Sequence, residues 1–166
     1  YTTAYLTTVH GFSPWLTLLI GLAITAAVAL FLGFITLRMG GHYLPLGTIA
    51  WGISLHFPFG NLEFLGGHTG ISGIPTISLF GLELKSSRSF YYLIWVVVLL
   101  AILALRNLLD SRQGRAIRAL KGGTVMAEAM GVNTPQVKIV IFLIAALLAS
   151  VSGWLYAHLQ RFVNPT

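Results

Sequence analysis

The run from Pro14 to Leu37 contains no charged side chain, and it constrains the fold of this chain more than any other feature. As an α-helix it reaches roughly 36 Å, which is enough to cross a hydrocarbon core of about 30 Å with some tilt. Of all residues, 56% are hydrophobic and only 8% are charged, so there is too little polar surface to cover a soluble globule. The sequence therefore predicts an all-α membrane protein, a polytopic bundle of transmembrane helices.

Four membrane spans of alternating orientation are predicted, at residues 14–37, 42–59, 90–105 and 139–157. Prolines and glycines interrupt the second one, so we expect a broken span whose backbone is buried in protein or lines a wet cavity. Four residues of this broken span are expected to border a translocation path: His42, Tyr43, Thr48 and Trp51. The alternative is a re-entrant segment that does not cross the membrane.

Small side chains recur at every fourth position in two spans: Gly21, Thr25, Ala29 and Gly33 in the first, and Ala145, Ala149 and Gly153 in the last. Such strips let helices approach closely. We interpret the strip on the first span as internal packing rather than as a substrate-lining face. Aromatic residues at the outer ends of the later spans, including Trp154 and Tyr156, predict contact with the membrane interface.

Residues 60–89 form the predicted outer loop, which is rich in glycine. Its central residues are Gly66, Gly67, Gly70, Ser72 and Gly73. Glycines at this density allow backbone N–H groups to converge on an anion. An ordered surface turn explains the same pattern, and we favour that interpretation.

Residues 106–138 form a basic loop between two apolar runs, with six of the ten Lys and Arg residues of the chain. Positive charge between spans resists translocation, so this loop is predicted to face the cytoplasm. It contains the pattern of two short helices, with Thr124 as the expected N-cap of the second and Gly131 in the left-handed position that ends it. Thr134 is the expected N-cap of the next span, with Pro135 at its first helical position.

The chain resembles the M-type permease subunit of bacterial ABC importers for branched-chain amino acids, a family whose relatives also carry urea and short amides. The resemblance runs from Tyr1-Thr2-Thr3-Ala4 through Gly41-His42-Tyr43-Leu44 to Gly70-Ile71-Ser72-Gly73-Ile74-Pro75. It is strongest at Gly114-Arg115-Ala116, Arg118-Ala119, Ala127-Glu128-Ala129-Met130-Gly131-Val132-Asn133 and Lys138. One departure is Gly122-Gly123-Thr124, where members of the family usually have acidic residues.

The resemblance implies a multi-pass protein of the bacterial inner membrane that contacts membrane lipid and pairs with a second permease subunit. It also implies two ATP-binding subunits and a periplasmic substrate-binding protein as partners, with ATP and Mg²⁺ on the partner subunits and no cofactor on this chain. Five residues of the basic loop would couple to the ATPase: Arg115, Arg118, Glu128, Ala129 and Gly131. The chain starts at Tyr1 and lacks terminal signals, so we expect it to be a fragment of a longer protein.

Two other classes of function remain open from the sequence. Gly70-Ile71-Ser72-Gly73 fits the nucleophile pattern of rhomboid-type intramembrane proteases, with His158 as the base of a Ser-His pair. A passive channel would suit a broken span and a glycine-rich loop but would leave the ordered basic loop without a role. A metal site is not expected, because the histidines lack helical pair spacing, and neither is nucleic-acid binding, because no stacking aromatics accompany the basic residues.

Overall fold

The computed structural model describes residues 1–36, 43–62, 66–79, 82–83 and 86–164. Within these ranges the chain forms seven α-helices: α1 (Thr2–Val9), α2 (Pro14–Thr36), α3 (Tyr43–Asn61), α4 (Ser87–Asp110), α5 (Arg112–Ala119), α6 (Thr124–Ala129) and α7 (Thr134–Gln160). It also forms four two-residue strands: β1 (Ile71–Ser72), β2 (Ser78–Leu79), β3 (Leu82–Glu83) and β4 (Phe162–Val163). Strand β1 pairs with β4 and β2 with β3, both antiparallel.

Three helices among the described residues are long and apolar enough to cross a membrane: α2, α4 and α7. Their apolar side chains are mostly exposed, and in the most apolar stretch of α4 no residue is buried at all. An exposed apolar surface of this extent needs lipid or other helices to cover it. The structure therefore confirms the predicted helical membrane fold. Helices α4 and α7 extend beyond the predicted spans, because both continue into the basic loop.

Helix α3 differs from the broken span that the sequence predicted. Its backbone is one continuous helix from Tyr43 to Asn61. Pro45 lies in the first turn, where its missing N–H has no helical partner to lose, and Pro58 lies in the last turn. Gly47 does not break the helix either. A Cβ there would lie 2.8 Å from Thr36 Cγ2, so this glycine permits close approach of α2.

The bundle is organised by the packing of α2 against α7. The Thr25 hydroxyl donates a hydrogen bond to the Ser150 hydroxyl across this interface, at 3.1 Å. Ala29 and Gly33, on the same face of α2 as Thr25, are buried. The strip of small residues on α2 therefore packs inside the bundle, as predicted.

The end of the bundle opposite α5 and α6 is closed by the segment 66–79. Ile77 is fully buried against Phe90, Trp154 and Leu155, and Ile74 is buried against α1 and α7. Trp154, which was predicted at the outer membrane interface, is only 5% exposed and packs inside the bundle. A buried indole N–H needs an acceptor, and it donates to the Pro14 carbonyl at 3.0 Å.

Candidate functional site

Helix α5 is joined to α4 by a tight turn. The Ser111 hydroxyl donates to the Leu108 carbonyl at 2.6 Å and accepts from the Gly114 N–H at 3.3 Å, so one side chain serves both helix ends. A Cβ at Gly114 would lie 2.1 Å from the Leu109 carbonyl oxygen. This position must therefore be glycine for α5 to turn back against the end of α4.

Helix α6 is joined to α7 by the short connection 130–133. Gly131 has φ +78°, which confirms the predicted left-handed position, and its N–H donates to the Glu128 carbonyl at 2.9 Å. The Val132 N–H donates to the carbonyl of Ala127, whose side chain is buried. The Thr134 hydroxyl donates to the Glu128 carboxylate at 2.5 Å. Helix α6 is thus tied to the first turn of α7.

Two predicted helix caps are wrong by one residue. Gly123, with φ +107°, precedes α6, and Thr124 is already helical. The side chain of Asn133 caps α7 by accepting from the Gln136 N–H at 3.3 Å, while Thr134 is the first helical residue. In each case a residue that suits non-helical backbone stands just before the threonine, and it takes the cap position.

Most of the exposed side chains of α6 and its C-cap residue are apolar, which the sequence reasoning missed. Val125 is 80% exposed, Met130 69% and Met126 57%, and the neighbouring Ala129 is exposed as well. We call these four residues the α6 apolar surface. The signal in the sequence was the presence of two large apolar side chains in a helix of only six residues, with a third, Met130, at the C-cap. Such a helix is too short to form a core of its own.

The five residues predicted to couple to an ATPase are not equivalent in the structure. Arg118 forms an exposed ion pair with Asp110 at 3.1 Å, which contributes little to stability at such exposure. Glu128 and Gly131 hold α6 to α7, and Ala129 belongs to the α6 apolar surface. Arg115 lines a separate groove between α5 and α7.

The residues predicted to border a translocation path are only partly described. His42 lies outside the described residues, and Tyr43 begins α3 although its side chain is outside the described part. Thr48 is exposed and Trp51 half-buried. They are three positions apart and therefore share one face of α3. Their role in a path stays a prediction.

The glycine-rich segment is an ordered turn rather than an open anion nest. The Gly66 carbonyl accepts from the N–H groups of Thr69 and Gly70, both at 3.1 Å, so these donors are already used. The Gly67 N–H donates to the Leu62 carbonyl at 3.2 Å. Gly73, like the other three glycines of this segment, has positive φ. The glycines are needed for this turn because they readily adopt positive φ.

Ser72 and His158 do not form the pair that a serine protease needs. Ser72 is exposed on β1, opposite Phe162 of β4. The His158 ring is 2% exposed, and its Nδ1 donates to the Pro75 carbonyl at 2.8 Å. Its Nε2 is buried without a partner among the described residues. The histidine therefore fastens the loop to α7.

Comparison with known proteins assigns the family. The model of the family described as "Branched-chain amino acid transport system / permease component" matches residues 1–166. The chain belongs to this permease family. The high-affinity branched-chain amino acid transport system permease proteins LivM of Salmonella typhimurium and Escherichia coli are 32% and 33% identical to it over 99% of its length. LivH of Escherichia coli, a permease protein of the same description, is 41% identical over 73 residues, which are 43% of this chain and 24% of LivH.

The chain spans 44% of the length of each LivM protein, so it corresponds to less than half of these relatives. No solved structure matches it. Membership of the permease family agrees with the three apolar helices and with the resemblance on the motifs of the basic loop. It gives no support to the protease or channel interpretations.

Proposed function

We propose that this chain forms part of a transmembrane permease subunit that imports branched-chain amino acids by alternating access, driven by ATP hydrolysis on partner subunits. The observation that carries the proposal is the α6 apolar surface, which is held between two membrane-crossing helices by short connections. An exposed apolar surface of this kind on a soluble loop is a docking site for another protein. An ATPase subunit is the partner that an importer of this family requires.

The connections explain how docking would move the membrane helices. At one side, Ser111 and Gly114 fix α5 to the end of α4. At the other, Glu128 and Gly131 fix α6 to the start of α7. A displacement of α6 is therefore transmitted to α4 and α7 rather than absorbed by a loop, which is the rigid-body motion that alternating access uses.

The movement would continue into the bundle through α7. Helix α7 packs along α2, where Thr25 and Ser150 are hydrogen-bonded, and its far end carries the loop through His158 and Pro75. One rigid helix thus links the proposed ATPase contact to the opposite face of the membrane. Helix movement of this kind makes and breaks no covalent bonds, so we propose a transport subunit and not an enzyme.

The partners follow from the same proposal. The relatives LivM and LivH are both named permease proteins of a branched-chain amino acid system, which supports a second permease subunit beside this one. Two ATP-binding subunits would carry ATP and Mg²⁺, and a periplasmic binding protein would deliver the solute. The basic loop then faces the cytoplasm of a bacterium, and the protein lies in the inner membrane.

The experiment is a pull-down of the tagged full-length protein from native membranes, with ATPase activity measured in the eluate. The test variant is Val125→Asn with Met130→Gln, which makes the two most exposed side chains of the α6 apolar surface polar without touching a buried residue. The matched control is Val9→Asn, which changes a side chain that is 61% exposed at the other end of the bundle.

We expect the natural protein and the control to retain ATPase activity in the eluate. The test variant should lose about nine-tenths of it, since two buried apolar contacts are worth at least one tenfold step in affinity. Solute uptake should fall in parallel. Absence of any ATPase from the eluate of the natural protein would overturn the proposal, and equal loss in both variants would remove the α6 apolar surface from it.

A further inference from the structure

A groove of about 810 Å³ separates α5 from the first turns of α7. The residues that line it include Arg112, Gln113 and Arg115 of α5 and Gln136, Val137 and Val140 of α7. Its volume would admit a group much larger than a water molecule. The lining has two chemically different parts, one basic and one apolar.

The basic part is uncompensated. Arg112 and Arg115 are three positions apart on α5, so they lie on one face of the helix. Among the residues that the structure describes, no carboxylate lines the groove. The two carboxylates of the basic loop are engaged elsewhere, Asp110 with Arg118 and Glu128 with Thr134. Neither groove arginine forms an ion pair within the described ranges. Two adjacent guanidinium groups favour an anion, and their planar forks match a phosphate.

The apolar part lies where the membrane span begins. Val137 is buried, and Ile139 and Val140 are half-buried on the first turns of α7. Gln113 and Gln136 also line the groove, and their amide side chains add neutral donors. A free phosphate ion would make no use of the valines and isoleucine. A ligand with an anionic head and an apolar tail uses both parts of the groove.

We propose that this groove binds an anionic phospholipid, with the headgroup phosphate on Arg112 and Arg115 and an acyl chain along Val137 and Val140. Basic pockets beside membrane helices on the cytoplasmic side are suited to such headgroups. The α6 apolar surface remains free for a protein partner, because none of its four residues lines the groove. The inference does not depend on which solute the protein carries.

The site gives Arg115 a role different from direct contact with an ATPase. A lipid bridging α5 and α7 would fix the angle at which the short helices leave the membrane. Binding would therefore stabilise the element that the proposed function needs to be rigid. Lipid composition would then influence the protein through this groove.

The experiment compares lipid retention by the purified full-length complex, measured by native mass spectrometry after mild delipidation and re-addition of phosphatidylglycerol. The test variant is Arg112→Gln with Arg115→Gln. The matched control is Arg118→Gln with Lys121→Gln, which removes the same charge from the basic loop outside the groove. All four side chains are on the surface, so the packed interior is unchanged. Thermal stability with phosphatidylglycerol, with phosphatidylcholine and with inorganic phosphate is the second readout.

We expect phosphatidylglycerol to stay bound to the natural protein and to the control, and to raise their melting temperature. The test variant should bind it about thirtyfold more weakly, because each basic residue at the surface contributes to anionic-lipid affinity. Phosphatidylcholine and inorganic phosphate should stabilise none of them.

Three results would overturn the proposal. Equal loss of lipid in both variants would reduce it to general surface charge. Equal stabilisation by inorganic phosphate would make the groove a site for free anions. Retention of lipid only after the ATPase subunits are removed would make the groove a contact between subunits.

Discussion

The carboxylate of Glu128 lies 2.5 Å from the hydroxyl of Thr134, and this contact fastens α6 to the first turn of α7. Thr134 is only 2% exposed, so its hydroxyl has little access to water as a hydrogen-bond partner. Glu128 is exposed on α6, and its carboxylate reaches across the turn to α7. The family resemblance assigns Glu128 to contact with an ATPase, whereas in the structure its carboxylate accepts a hydrogen bond from Thr134 of the same chain.

Replacement of Thr134 by Val should loosen this connection while the shape of the buried side chain is retained. The lost hydrogen bond to a charged but partly solvated group costs about 1 kcal/mol. We expect a modest fall in the melting temperature of the purified protein and a larger fall in ATP-driven uptake, since α6 would no longer move with α7. Thr134→Ser, which keeps the hydroxyl, is the control and should behave as the natural protein. Equal uptake by both variants would contradict a positioning role for the contact.

The helices and their approximate ends could be predicted because their signals are local. Hydropathy located α2, α4 and α7, and glycine marked the end of α6. The caps were wrong by one residue because Gly123 and Asn133 compete with the neighbouring threonines for the same position. The expected break in α3 was wrong because the cost of a proline depends on its place in the helix, and Pro45 lies where that cost is smallest.

The short helices of the basic loop could be predicted from the sequence, but the surface that they expose could not. The basic loop and Gly131 follow from charge and turn chemistry. The α6 apolar surface depends on which face the neighbouring helices leave uncovered. The groove at Arg115 exists only because α5 folds back beside α7, a long-range contact that no local pattern encodes.

Substitution of Gly114 tests the turn between α4 and α5. Gly114→Ala would place a Cβ 2.1 Å from the Leu109 carbonyl oxygen, and backbone cannot move aside cheaply. We expect a loss of stability of about 1–3 kcal/mol and reduced copurification of the ATPase. Gly153→Ala is the matched control, because it lies inside α7 and the new Cβ would have no described atom of another element within 4 Å. The control should be neutral or slightly stabilising by thermal denaturation.

Ser72→Ala should leave transport unchanged. Ser72 is exposed on β1 and makes no hydrogen bond with His158, whose Nδ1 is used by the Pro75 carbonyl. The measurement is uptake by cells that carry the variant, with its amount in the membrane checked by immunoblot. A complete loss of function at normal abundance would revive the serine-nucleophile interpretation and count against the proposed function.

Alanine substitutions at two glycines of the loop between α3 and α4 distinguish the effect of a steric clash from the effect of backbone strain. Gly70 and Gly73 both have positive φ, +74° and +79°. At Gly70 a Cβ would also lie 2.4 Å from the Val163 carbonyl oxygen of β4, whereas at Gly73 nothing lies within 4 Å. Gly73→Ala should therefore cost only the strain of its conformation, about 1 kcal/mol. Gly70→Ala adds a clash with backbone and should separate β1 from β4.

Limited proteolysis of membrane vesicles distinguishes the two variants. When β1 leaves β4, Ile74 and Ile77 lose their cover on α7, and the segment 66–79 becomes accessible to protease. We expect cleavage in this segment to be much faster in Gly70→Ala than in Gly73→Ala, with the natural protein slowest. If the two variants are cut at the same rate, the pairing of β1 with β4 does not hold the loop against α7, and His158 with Pro75 must be its main attachment.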